Sequence, residues 1–242
     1  MKKIWTKNYP NGVIEDVDLM QYSSFVDLFE ESFKKYSDDI AFENMGVSIT
    51  YKELDNLSKN FSNYLTHELK LKKGDRLAIQ SPNVLQYPVA LIGALRSGIV
   101  VVNTNPLYTP DEMRHQFKDS GCKAILILSN FAHNLQKVIQ DTEIKHVIIS
   151  SMGDMLSAVK GTLVNFVVKY IKKMVPNYSL PGHHSYKEAI SKGGKLYLII
   201  LFLVFILKFL LTQKISRFFS TLEELQVSLR GRCYLIKMLF LM

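Results

Sequence analysis

The stretch from Gly74 to Asn130 constrains this chain more than any other feature, because apolar runs of strand length alternate there with helical patterns. Arg76–Gln80 is a short apolar run after a Lys-Lys-Gly-Asp turn. Val84–Leu95 carries Leu85, Val89, Ile92 and Leu95 at helical spacing, and Ser97-Gly98 ends that pattern. Ile99–Val102 is four consecutive β-branched residues, which predicts a strand buried on both faces. Thr109 is the expected N-cap of the next helix, Pro110 fits its first position, and Glu112 completes a capping box. Ala124–Leu128 is a further apolar strand. Strands alternating with helices require crossovers, so the fold class is α/β with a mostly parallel sheet flanked by helices.

The flanking sequence extends this pattern. Ser24 is the expected N-cap of a helix that puts Phe25, Leu28, Phe29, Phe33 and Tyr36 on one face. Ile40–Phe42 and Val47–Ile49 flank Glu-Asn-Met-Gly, which predicts a small hairpin. Thr50 and Glu53 form a second capping box, opening a helix with Leu54, Leu57, Phe61, Tyr64 and Leu65 inward and Gly74 as its terminator. Beyond the central stretch, Phe131–Asp141 reads as a helix and His146–Ile149 as a strand. Lys160–Val175 is amphipathic and basic, with Leu163, Phe166, Val167, Tyr170, Ile171 and Met174 against Lys160, Lys169, Lys172 and Lys173. Two readings stand: a helix packed on the domain with a solvated lysine face, which is preferred, or a helix lying on an anionic membrane. Pro176–Gly194 reads as loop.

At Leu196 the character changes. The run LYLIILFLVFILKFLL has one charge, Lys208, and no clear period. A bilayer span needs about 20 apolar residues, so the run is a marginal span, expected as an apolar C-terminal helix. Basic residues flank both ends, so no orientation follows. The division expected is residues 1–195 as one α/β region and 196–242 as an apolar, then basic, tail. Six basic residues against two acidic ones give the tail half of the net charge of +8. With no aromatic-basic motif, that charge does not make the chain a nucleic-acid binder.

Few residues invite a chemical reading. Cys122 and Cys233 have no metal-ligand spacing, and Cys122 is expected as a small core residue. His115, near Tyr108 and Thr109, has no nucleophile or carboxylate partner at a telling spacing and is expected as a half-buried helix residue. Asn103 and Asn105 could bond backbone or ligand. His183-His184 lacks a third ligand nearby and is expected in solvent. Ser191-Lys192-Gly193-Gly194 is the one Gly-Lys cluster, and a flexible turn is expected there rather than a phosphate cradle. No residue is assigned a catalytic, cofactor-binding or metal-binding role. The start, MKKIWTKNYP, has no apolar core of a secretory signal, so a cytoplasmic protein is expected, with inner-membrane association through the apolar run left open.

The motif PNxxQYPVALIGALRSGxxVVNxNPLYTPxExxHQxxDSG, together with KKxW, AFxNMG, SNFAHxL and the stretch MGDMLSAVKGTLVNFVVKYIKKMVP, resembles the N-terminal region of bacterial long-chain fatty acid–CoA ligases. These are adenylate-forming, AMP-binding enzymes. The resemblance implies a parent reaction in which a fatty acid carboxylate attacks ATP to give an acyl-adenylate, and coenzyme A then displaces AMP. Its implied cofactors are ATP, Mg2+ and coenzyme A. The family's TGGTTGxSKG loop, acidic Mg2+ ligand and catalytic lysine do not occur in this sequence. The resemblance therefore implies an incomplete ligase with no expected cofactor or activity of its own. Fatty acid and nucleotide would be partners of the complete enzyme only. A non-enzymatic α/β binding module held to a membrane by the apolar run is the alternative.

The tail carries one further expectation. Residues 219–231, FSTLEELQVSLRG, can be encoded so that the displaced reading frame spells QYTGGTTGVSKG. Phe219 and Ser220 supply C-AG for glutamine, Ser220 and Thr221 supply T-AC for tyrosine, and the series continues to Gly231. That is the phosphate loop of the resembled family. A frameshift between about Gly194 and Phe218, with an out-of-frame tail, is the reading this supports.

Overall fold

The computed structural model describes residues 4–208 apart from 15, 17 and 19. Two units separate, residues 1–194 and 195–242. In the first, a helix α1 (Phe25–Lys35) precedes a hairpin of β1 (Ile40–Asn44) and β2 (Val47–Thr50). Helix α2 (Tyr51–Asn63) runs into a wider turn at Tyr64–Glu68. Then come β3 (Arg76–Gln80), α3 (Gln86–Arg96), β4 (Val100–Asn103), α4 (Pro110–Ser120), β5 (Ala124–Leu128), α5 (Ala132–Gln136) and β6 (His146–Ser150). Helix α6 (Ala158–Phe166) continues into a π turn, Val167–Ile171. A two-residue strand β7 (His184–Ser185) leads into α7 (Tyr186–Lys208).

β3 to β7 form one parallel sheet in the order β4-β3-β5-β6-β7. Alternate residues point to opposite faces. Leu77, Ile79, Leu126 and Ile148 meet α2, α3 and Tyr186 on one side. Ala78, Ile125, Ile127, Val147 and Ile149 meet α4 and α5 on the other. The outcome is three layers, helices on both faces of the sheet, as the strand-helix alternation demands.

The caps form as the sequence predicts. Ser24 accepts from Asp27 N, and the boxes Thr50/Glu53 and Thr109/Glu112 are reciprocal. Cys122 is buried in the core, where burial pushes its thiol pKa up, the state of an inert thiol. Leu54, Phe61, Tyr64 and Leu65 are buried as expected.

Several expectations need correction. The β-branched run is not buried on both faces: among the described residues β4 pairs only with β3, at the sheet edge, and Val100 is exposed. A run of valines reports high strand propensity, not the number of neighbours. Gly74 does not end α2, whose continuation stops at Leu69 with Lys70 in a left-handed conformation; Gly74 sits in the turn before β3. Phe131–Asp141 is broken into α5 and a 3-10 turn, Ile139–Asp141. His184 is half-buried in β7, its ring edge-on to Tyr64 at 5.8 Å, while His183 is exposed as expected.

Pro176–Gly194 is not all loop, because α7 begins at Tyr186 and includes Ser191–Gly194. Gly193 is there for contact, not for a turn. A Cβ on it would lie 1.8 Å from the Asn60 carbonyl of α2, so only glycine lets the two helices approach so closely. The end of the apolar run, and residues 219–231, lie outside the described residues.

Arg96, nearly buried, ties three helices together. Its guanidinium bonds Glu30 of α1 and Asp55 of α2 and lies 5.1 Å from the Phe33 ring centre.

Candidate functional site

β3 leads outward to β4, and β5 then returns to the opposite side of β3. Their connecting helices, α3 and α4, pack on opposite faces of the sheet. The winding therefore reverses between β3 and β5. In doubly wound sheets the crevice outside the carboxyl ends at such a point is where ligands bind.

Buried polar side chains gather at that edge. Gln80 ends β3, Thr104 follows β4, Ser129 and Asn130 follow β5, Ser150 ends β6, and Gln86 opens α3. Among the described residues the one other buried polar residue is Ser58. A buried polar group left unbonded costs about 1–3 kcal/mol, so its partners matter. Gln86 Nε2 donates to Ser151 O at 2.9 Å, fastening α3 to the end of β6. Gln80 Nε2 donates to Asn105 O at 3.1 Å, and Asn130 Nδ2 donates to Met174 O at 3.1 Å. Because both amides face carbonyls, each must present its NH2 there and its oxygen inward. Gln80 Oε1 and Asn130 Oδ1 are buried without partners.

Three backbone donors of the edge are already used. Thr104 N donates to Ile79 O at 3.0 Å and Ser129 N to Ser150 O at 2.8 Å. Ser151 N donates to Asp154 Oδ2 at 2.7 Å, and Ser150 Oγ lies 3.3 Å from the same oxygen. Burial raises the Asp154 carboxyl pKa, partly offset by the Ser151 bond and by Lys187, 3.7 Å away. Beside this edge lies a cavity of about 310 Å3, lined by Ser129, Ser151, Asn165, Lys169 and Tyr178. A second, of about 430 Å3, is lined by Asn130 and by apolar residues including Met152, Leu163, Val167 and Met174.

This chemistry does not fit a triphosphate. Phosphate oxygens are acceptors and need N–H donors and cations. The three strand-end donors above are occupied, the unbonded groups Gln80 Oε1 and Asn130 Oδ1 are acceptors, and Asp154 adds a carboxyl that faces Lys187; of the cavity's lining residues only Lys169 is a cation. No step through ATP is assigned to these residues.

Of the residues singled out in the sequence, Tyr108 and His115 line one open cavity of about 460 Å3 with Asp111, Glu112 and Asp119, and the others do not converge. Asn103 Oδ1 accepts from Tyr87 OH at 3.1 Å, and Asn105 Oδ1 from Leu107 N at 3.0 Å, so both act locally. His115 is exposed on α4, not half-buried, because Met113 and Phe117 turn the opposite side of that helix to the core. Lys192 pairs with Glu188 one turn earlier in α7. No cluster of three metal-ligating side chains occurs among the described residues. Sequence reading missed the polar ring itself. Its signal was present: each sheet strand from β3 to β6 is followed or ended by Gln, Asn or Ser, in Gln80-Ser81, Asn103-Thr104-Asn105, Ser129-Asn130 and Ser150-Ser151.

The sheet order and the crevice define an α/β module of the doubly wound, ligand-binding kind. Residues 29–197 match the family model of the AMP-binding enzymes, and the chain belongs to that family. Over 196 residues it is 53% identical to a long-chain-fatty-acid–CoA ligase of Escherichia coli O157:H7, covering 81% of this chain and 35% of that protein. It is 49% identical over 193 residues to the corresponding ligase of Haemophilus influenzae, covering 80% and 34%. The chain thus spans about a third of these relatives' length. Among solved structures, an anthranilate CoA ligase with anthranoyl-AMP superposes with a TM-score of 0.56 at 14% identity, covering 70% of this chain and 28% of that one. A benzoate CoA ligase from Burkholderia xenovorans gives 0.53 at 19%, with the same coverage. At such identities these two structures establish the shared fold alone.

Proposed function

We propose that this chain is the amino-terminal α/β portion of an ATP-dependent long-chain fatty acid–CoA ligase, and that by itself it forms no acyl-CoA. The observation behind the second half is the carboxyl edge, where unbonded groups are acceptors and a carboxyl replaces the donors a triphosphate needs. The identity to the bacterial ligases supports the first half. ATP, Mg2+, coenzyme A and the fatty acid are ligands of the complete ligase in this reading, and no residue here is given a role toward them. The test is an assay of the purified chain with palmitate, ATP and coenzyme A. No acyl-CoA is expected; its formation would overturn the proposal.

The out-of-frame origin of residues from about 196 onward belongs to the same proposal. The latent QYTGGTTGVSKG reading supports it. Sequencing the gene across codons 194–231 decides it: an early stop in the displaced frame, with no ligase sequence downstream, ends the idea.

A second reading rests on α7, which is long and apolar enough to cross a membrane. Its first turn is committed to the core through Tyr186 and Ala189. Carbonate extraction of membranes discriminates: a retained chain supports this anchor, a released chain opposes it.

A further inference from the structure

The apolar stripe of α6 and its π turn faces outward. Val159, Leu163, Phe166 and Tyr170 recur at intervals of three and four residues, which puts them on one side of a helix. They are 82%, 60%, 52% and 60% exposed, and Ile171 and Met174 continue the patch. The opposite side holds the helix to the domain. Gly161 is the one buried residue of α6, and a Cβ there would lie 2.4 Å from the Gly153 carbonyl. Asn165 Oδ1 accepts from Gly153 N at 2.8 Å. The stripe is therefore held outward by a glycine crossing that no rotation of the helix could preserve.

Charge selects the occupant. From Met155 to Lys187 the chain contains no acidic residue, while Lys169, Lys172 and Lys173 are exposed along the same stretch and Lys160 bonds the Met45 carbonyl. Lys169 Nζ lies over the Tyr170 ring, 5.3 Å from its centre. A second copy of this chain docking through the same face would bring lysines against lysines. An apolar stripe with aromatic residues, bordered by lysines and free of acids, matches an anionic bilayer surface: the apolar residues enter the headgroup boundary and the lysines meet lipid phosphates.

We propose that the outward face of Ala158–Ile171 binds in the plane of an anionic lipid bilayer. This attachment depends on neither ligase chemistry nor insertion of α7. Long stems let the lysines reach headgroups while their carbons cover apolar surface. Salt weakens the attraction by screening it.

The test uses the full 242-residue chain with Phe166→Cys in a Cys233→Ser background, carrying an environment-sensitive fluorophore at position 166; Cys122 is buried and stays unlabelled. Phosphatidylcholine vesicles with phosphatidylglycerol are expected to shift the emission to the blue, with reversal by salt. Phosphatidylcholine alone is expected to have little effect. Replacing Lys169, Lys172 or Lys173 by Gln should weaken partitioning about fivefold each. Circular dichroism establishes that the variants remain folded. Three results overturn the proposal. The fluorophore can stay in water with every vesicle. The shift can be equal with both lipids and indifferent to the lysines, which makes α7 the anchor. Or the shift can arise without lipid and grow with protein concentration, which makes the face a contact between copies.

Discussion

Helices α2 and α6 carry the same kind of pattern and meet opposite fates. In α2, Leu54 and Phe61 are buried against α3 and the sheet. In α6, Leu163 and Phe166 stand in solvent. The contrast extends to the ground beneath them. The α1–α3 side is closed, with Arg96 bonding two neighbouring helices. The carboxyl edge beneath α6 keeps amide oxygens without donors and a largely buried carboxyl whose pKa burial raises. A hydrophobic stripe states that something apolar belongs against it; it does not state whether the partner is the same domain.

The largest expected effect breaks the comparison directly. Phe61→Ala should cost about 3–5 kcal/mol by leaving a cavity in the core, while Phe166→Ala should change stability by no more than about 0.5 kcal/mol. Urea denaturation of both variants measures this, and equal losses would mean that α6 is covered after all. Next comes Arg96→Ala. Removing one partner of a fully buried ion pair costs about 3–5 kcal/mol, and the exposure of Glu30 lowers the figure here to about 2–3 kcal/mol. Gly193→Ala should follow at about 1–3 kcal/mol, because a methyl must displace the backbone of α2 at Asn60. Both are read from denaturation midpoints.

The smallest effects are two pH dependences of opposite sign. At the amino end of β3, Asp75 bonds Lys123 Nζ at 2.6 Å and accepts from Lys72 N at 2.8 Å, and these bonds lower its pKa. Its contribution is present above the ordinary carboxylate value of 3.8 and is lost as pH falls through the lowered one. Asp75→Asn should therefore cost about 1 kcal/mol at neutral pH, with the difference from the parent closing in acid. Asp154 is the reverse: its pKa is raised, so its ionisation costs stability as pH rises through that value. Asp154→Asn should gain on the parent over the same rise. Melting temperatures of the parent and both variants from acid to neutral pH give the two slopes; parallel curves would remove the distinction between the edges.

Much of the architecture was legible before any coordinates. The capping boxes at Thr50 and Thr109 came through because their bonds close within four residues. The strands at Arg76–Gln80 and Ala124–Leu128 came through because an apolar run between turns has few other uses. The edge position of β4 did not, since pairing partners are supplied from distant chain. Nor did the helix through Ser191–Gly194: two glycines read locally as a turn, and only the approach of Asn60 explains them. The polar edge was half legible, its residue types visible after each strand but its bonds hidden in the meeting of four strand ends.

Local chemistry therefore decided where most helices and strands of this chain begin and which side of each is apolar, because those interactions span only a few residues. Tertiary structure alone decided which apolar sides are covered, which strand became the edge, and which buried amides keep an unbonded oxygen. Those outcomes depend on what the remainder of the chain brings within reach, and no short stretch of sequence carries that information.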